Sequence, residues 1–175
     1  MSEAILVLKN VSKSFGAVVI ADGIHLSLRE GEALGIIGPN GAGKTTLFGI
    51  ASGAIAPDSG SVLFDGRDIT RETPEQRCRM GIARSFQIPQ PFGGMTVFEN
   101  LVVAAAFAGG KRERDVYGRC AELLQRCGLA GKANRHAGSL TLLDRKRLEL
   151  ARALSTRPRL LLLDEPLSNL DAKLR

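Results

Sequence analysis

The sequence predicts an α/β fold with a β-rich start, a glycine-rich loop leading into a helix, a helical insertion and a return to the sheet. Three observations carry that expectation. Apolar residues alternate near the N-terminus, a buried-strand pattern at residues 32–37 runs straight into glycine, and from Pro74 the period is helical until the apolar run Leu160–Leu163. The 175 residues amount to about one domain. With 44% apolar and 24% charged residues and a mean hydropathy of +0.02, the composition excludes disorder and acidic tails.

The elements follow in order. Ile5 and Val7, with the pair Leu6 and Leu8, read as a first short strand, and Ile24, Leu26 and Leu28 as a second. Residues 32–37 read as a buried strand, and a helix follows from Lys44 to about Ser52. Residues 58–70 are turn, strand and Asp-Gly turn, which fits a hairpin. Thr96 and Glu99 form a capping box that opens a helix through Ala106. Residues 113–127 place Val116, Cys120, Leu123, Leu124 and Cys127 on one helical face, closed by Gly128 and Gly131. Residues 144–155 read as a further helix, and Leu160–Leu163 as a buried strand. No internal repeat or low-complexity stretch is present.

Composition narrows the function classes. The longest apolar run, residues 101–108, has eight residues, where a membrane span needs about 18 or more. No secretory leader is recognisable at the start, and three cysteines without CxxC spacing fit a reducing cytosol. Cys120 and Cys127 read as core. The net charge is +6 and the pI about 9.7, with the positive excess lying after residue 60. Nucleic acid, an anionic membrane surface, a phosphorylated ligand or a solvated face would each account for it.

Two motifs carry chemistry. Residues 38–45 read GPNGAGKT, a full match to G-x-x-x-x-G-K-[ST] between a strand and a helix, and Thr46 follows. In that pattern Gly38, Pro39, Asn40, Gly41, Ala42 and Gly43 turn backbone N–H groups towards phosphate oxygens. Lys44 reaches the β- and γ-phosphates, and the Thr45 hydroxyl ligates Mg²⁺. The fold class sharpens to a P-loop NTPase sheet core with an antiparallel β subdomain and an inserted helical subdomain, about residues 88–155. The second motif is Asp164 and Glu165 after Leu160–Leu163, two carboxylates at the carboxyl end of a core strand, where α/β sheets bind ligands. The bland reading is a helix cap after a core strand. The chemical one has Asp164 holding Mg²⁺, through water, and Glu165 orienting or deprotonating the attacking water.

With these motifs the chain resembles the ATP-binding subunit of an ABC transporter over nearly all 175 residues. Asp164 lies 120 positions after Lys44, which leaves room for the family's helical subdomain, one that small P-loop kinases generally lack. The resemblance implies that Phe15 stacks on adenine, with an ordinary core Phe as the alternative. It makes Gln87, in ARSFQ, the Q-loop glutamine that touches Mg²⁺ and the attacking water. It makes Ser168, Asn169, Leu170 and Asp171 the D-loop at a dimer interface. The stretch PQPFGGMTVFENL is similar to the branched-chain amino-acid importer type, whereas DEPLSNLDAKLR is similar to the sugar- and ion-importer branch.

Two departures stand out. The signature segment, usually L-S-G-G-Q, falls on Leu140, Thr141, Leu142, Leu143 and Asp144. Thr141 keeps the hydroxyl expected to cap the partner's γ-phosphate, Leu replaces both glycines, and Asp144 is expected to cap the following helix. Leu142 and Leu143 have helix packing as their alternative reading. The family also continues to a switch histidine, so the chain reads as truncated after the D-loop. His25 and His136 read as ordinary surface or satisfied histidines.

The resemblance implies a single nucleotide-binding domain over residues 1–175 that binds and hydrolyses Mg-ATP to drive solute import, amino acids being the expected class. Its implied partners are transmembrane permease subunits and a second nucleotide-binding subunit, homo- or heterodimeric. Its implied place is the cytoplasm, peripheral on the inner face of the cell membrane. ATP and Mg²⁺ are the expected cofactors. No nucleic-acid partner is expected, because no reading helix or aromatic platform is visible. The competing expectation is a nucleotide-binding module without turnover.

Overall fold

Alternating side chains build the first sheet. The computed structural model describes residues 4–164, and its contacts divide the chain into two compact units, residues 1–77 and 78–175. In the first unit, β1 (Ala4–Phe15) and β2 (Val18–Arg29) form an antiparallel hairpin, longer than the two short strands expected. β3 (Ser59–Phe64) pairs with the other edge of β1, and β4 (Arg67–Asp68) closes the order β2-β1-β3-β4. The register sets Leu6 opposite both Leu28 and Phe64, and Leu8 opposite Val62, so one apolar face forms across three strands. All of these residues are buried. The β3–β4 connection is the expected Asp65-Gly66 turn.

Helix α1 (Lys44–Ser52) has the expected bounds, with Gly43 and Gly53 both left-handed at its ends. Its C-terminal carbonyls are held by Arg77, which is only 1% exposed. The guanidinium donates to Ile50 O (2.6 Å), Ala51 O (3.0 Å), Ile69 O (2.7 Å), Thr70 O (3.1 Å) and Glu72 O (3.2 Å). A buried charge is tolerated there because all its donor nitrogens face carbonyl dipoles, and the cation complements a helix C-terminus. Gly53 leaves room for it, since a Cβ would stand 2.9 Å from Arg77 Nε. Arg77 lies on α2 (Pro74–Met80), which Thr73 and Gln76 cap reciprocally through Thr73 N to Gln76 Oε1 at 2.7 Å and Gln76 N to Thr73 Oγ1 at 3.4 Å.

Residues 32–37 depart from expectation. They belong to neither sheet of the described residues, and Ile37 is 99% exposed. A parallel core strand needs partners on its edges and cover on both faces, and among the described residues 32–37 pair with neither sheet.

In the second unit, β5 (Ile82–Ser85) runs parallel to β6 (Leu160–Leu163), with Ile82 opposite Leu160 and Ser85 opposite Leu163. The run of four leucines is not buried throughout. Leu160 and Leu162 are buried, but Leu163 is 39% exposed, because among the described residues β6 pairs with β5 alone and period-two geometry turns Leu161 and Leu163 to the other face. α3 (Val97–Gly109) opens on the predicted capping box, with Thr96 N donating to Glu99 Oε2 at 2.7 Å and Glu99 N to Thr96 Oγ1 at 3.2 Å. The helix expected over 113–127 divides at Val116 into a 3₁₀ turn, Glu113–Asp115, and α4 (Tyr117–Arg126). α5 (Leu142–Ser155) begins two residues before the expected start.

These three helices enclose one apolar cluster. It takes Val97, Leu101, Val102 and Ala105 from α3, Cys120, Leu123 and Leu124 from α4, and Leu148 and Ala151 from α5. Burial of each large side chain contributes about 1.5–3 kcal/mol. The carboxamide of buried Asn100 is fully used: Nδ2 donates to Phe92 O (3.1 Å) and Thr96 O (2.9 Å), and Oδ1 accepts from Phe92 N (2.9 Å). Burial pushes the Cys120 thiol up, as it does for Cys78 and Cys127.

Candidate nucleotide site

The loop over residues 38–45 is shaped by backbone that only glycine adopts cheaply. Gly41 and Gly43 have φ of 84° and 82°, and a Cβ on Gly43 would stand 2.7 Å from Ile20 Cγ2 and 3.0 Å from Ile20 O. That approach sets Gly43 immediately before α1, so the first helical N–H groups, which have no partner inside the helix, open towards the loop. Ala42 N donates to Pro39 O at 3.2 Å and closes the turn. The Lys44 ammonium folds back over the loop and donates to Gly38 O at 2.7 Å and Pro39 O at 2.9 Å. Pro39, Asn40 and Thr45 are exposed, and Thr46 is half-buried. Phe15 lies exposed at the end of β1, its ring centroid 5.3 Å from Lys13 Nζ.

In the second unit, parallel pairing brings two of the expected residues to the same edge. Gln87 lies exposed two residues beyond β5, and Asp164 follows β6 directly. Asp164 is buried, and its Oδ2 accepts from Arg84 Nη2 at 2.8 Å. Arg84 in turn lies over the Phe86 ring at 4.9 Å. A buried carboxylate at a strand's carboxyl end requires a cation, and here a guanidinium meets that need. Taken singly, the Thr45 hydroxyl in the first unit and the Gln87 amide and Asp164 carboxylate in the second are each hard oxygen donors of the kind Mg²⁺ takes. Among the described residues no cluster of three or more His, Cys, Asp or Glu could form an all-protein cage. Glu165 and the D-loop residues Ser168, Asn169, Leu170 and Asp171 lie outside the described residues.

At the signature segment Thr141, not Asp144, is the N-cap of α5. Its Oγ1 accepts from Asp144 N at 3.3 Å and donates to Asp144 Oδ2 at 2.8 Å. The short threonine sits in extended backbone, as a cap requires, while Asp144 is already inside the first turn. Asp144 is buried, with Lys132 Nζ 2.5 Å from Oδ2 and Arg147 Nη1 3.7 Å from Oδ1. The Lys132 hydrogen bond, helped by Thr141, holds its carboxyl below the usual carboxylate value against the opposing effect of burial. Leu142 and Leu143 are 56% and 44% exposed, so helix packing does not account for them. His25 is exposed, and the exposed His136 has Nδ1 3.2 Å from Gly94 O.

A family model described as "ABC transporter" matches residues 21–168. The chain belongs to the ABC transporter family. It is similar to the high-affinity branched-chain amino acid transport ATP-binding protein LivG of Salmonella typhimurium, 37% identical over 99% of this chain and 73% of the relative. It is also similar to the spermidine/putrescine import ATP-binding protein PotA of Nitrosospira multiformis, 40% identical over 98% of this chain but 46% of the relative. The solved ADP conformation of MJ1267, an ATP-binding cassette of an ABC transporter, superposes with a TM-score of 0.83 at 34% identity, over 96% of this chain and 71% of that one. This ABC transporter chain is thus an ATP-binding subunit with the α/β cassette fold, in a family of ATPases. Among its described residues no helix is long and apolar enough to cross a membrane.

Arg84 beside Asp164 and Lys132 beside Asp144 were not expected. For Arg84 a signal existed: a cation inside an apolar strand pattern, Ile82-Ala83-Arg84, needs an acidic or carbonyl partner, and Asp164 ends the neighbouring strand.

Proposed function

We propose that this ABC transporter subunit, a single nucleotide-binding domain with residues 88–155 inserted, hydrolyses Mg-ATP to drive solute import through separate permease subunits. The observation that carries the reading is the glycine-shaped loop over residues 38–45, with Lys44 folded onto its carbonyls at the start of α1. Phosphate oxygens would replace Gly38 O and Pro39 O as partners of the ammonium, and backbone N–H groups of the loop and α1 would bind the rest. Phe15 would stack on adenine. Thr45, Gln87 and Asp164 would hold Mg²⁺, whose charge, when bound, neutralises the β- and γ-phosphate oxygens. Glu165 would orient the attacking water and take its proton, with Gln87 holding the water from the other side. Two copies, or this chain and a related one, would face head to tail with Thr141 of one near the nucleotide held by Lys44 of the other.

The similarity to LivG supports an amino acid, branched-chain types first, as the solute. Binding to a permease would place the chain on the inner face of the cell membrane. Mg²⁺-dependent ATP hydrolysis should appear in the full protein with its permease and fall at least about 100-fold in Glu165→Gln and in Lys44→Ala. An unchanged rate in Glu165→Gln would sink the reading. A second reading, nucleotide binding without turnover, rests on Thr141 being engaged with Asp144 beside two leucines. ATP binding with no rate in either protein would select it.

A further inference from the structure

Gln87 sits on an exposed loop, and an exposed loop holds a catalytic amide in place only if something fixes its flanks. The loop's fixings come from the middle of α5. The Glu149 carboxylate, buried, accepts from the backbone N–H groups of Phe86 and Gln90. Arg152, one turn on, donates from Nη1 to Glu149 Oε2 at 3.1 Å and to Gln90 O at 2.9 Å, and its guanidinium covers the Phe92 ring at 5.0 Å. The loop is therefore gripped one residue before Gln87 and again three and five residues after it. Burial pushes the Glu149 carboxyl up, and Arg152 and the two amides pull it back, so the acid sits in a site built around its partners.

We infer that Glu149 and Arg152 are positioning residues that set where Gln87 stands relative to the carboxyl end of β5. The inference rests on the role proposed for Gln87. A pair serving only to pack α5 would not need to bond main-chain groups on both sides of one side chain. Removing the carboxylate frees the Phe86 and Gln90 amides, and removing the guanidinium frees the Gln90 carbonyl and uncovers Phe92. Either change would loosen the main chain on the flanks of Gln87 while the residues 38–45 proposed to bind nucleotide remain untouched.

The test uses the full protein with its permease, reading residue-level amide exchange by NMR, ATP affinity and turnover. In the native chain the amides of Phe86 and Gln90 should exchange at least about tenfold more slowly than that of exposed Ile88. Glu149→Ala should remove that difference and lower kcat about 10- to 100-fold with ATP affinity unchanged. Glu149→Gln, which keeps an acceptor oxygen, should recover most of both, and Arg152→Lys should fall between. Equal native exchange at Phe86, Ile88 and Gln90 overturns the inference even if Glu149→Ala does not fold. So does a Glu149→Ala protein whose ATP affinity falls as far as its kcat. Gln87→Ala separates the two layers: no loss of rate there overturns the role of Gln87 itself, whereas loss there with none in Glu149→Ala overturns the positioning alone.

Discussion

Asp144 occupies a position where the family pattern has no acid, and its neighbours show how that charge is tolerated. Lys132 and Thr141 bond one carboxylate oxygen, and Arg147 stands near the other. Because the folded chain holds this carboxyl below its usual value of 3.8, the ionised form stabilises the fold. The sign follows from linkage: the contribution is complete above the usual value and disappears as pH falls through the lower folded value. Asp144→Asn should therefore be less stable than the parent by about 1–2 kcal/mol at neutral pH. The gap should begin to narrow below about pH 4 and close as pH falls through the lower folded value, read by urea unfolding at several pH values. A gap that is constant with pH would mean that shape, not charge, is what Asp144 contributes.

At the scale of elements, what could be read in the sequence was whatever local chemistry decides. The capping box at Thr96 and Glu99, the bounds of α1 and the Asp65-Gly66 turn are each decided within a few residues, and all three stand where expected. The length of β1 and β2 was less visible, because Lys9, Asn10 and the polar stretch after them look like loop until β3 supplies a pairing edge. Residues 32–37 and Leu163 mark the opposite failure, since an apolar run announces burial without saying what will cover it. In the candidate site, the loop glycines, Lys44 and Asp164 were legible as motif. Lys132, which meets Asp144, was not, and although Arg84 inside an apolar strand called for a partner, nothing local named Asp164, eighty positions away. The state of residues 32–37 is itself testable in the 175-residue chain. Ile37→Lys should change stability by no more than about 0.5 kcal/mol, whereas Ile50→Ala, at a wholly buried position of α1, should cost about 2–5 kcal/mol. A loss of several kcal/mol on Ile37→Lys in urea titrations would show that the strand forms after all.

The charge of the whole molecule bears on assembly rather than on fold. Its +6 net charge leaves attraction to many anions open, but the proposed head-to-tail pair makes a narrower demand. The Thr141 end of α5 would face the triphosphate held by a second copy, and a bare carboxylate there would repel it. Lys132, 2.5 Å from Asp144, and Arg147 cancel that charge within the subunit, so the first turn of α5 carries no net negative charge. Lys132→Ala removes the nearer cation and leaves the acid in place. In a Glu165→Gln background, where ATP should persist long enough to hold the pair together, Lys132→Ala should weaken ATP-dependent dimerisation about tenfold, or 1.4 kcal/mol. The loss should be larger at low ionic strength, where the unscreened acid reaches further. Adding Asp144→Asn to Lys132→Ala should restore most of the association, because it deletes the charge that Lys132 answers. Sedimentation velocity with and without ATP reads all three proteins. Equal dimer constants for them would show that this end of α5 does not meet the partner's nucleotide.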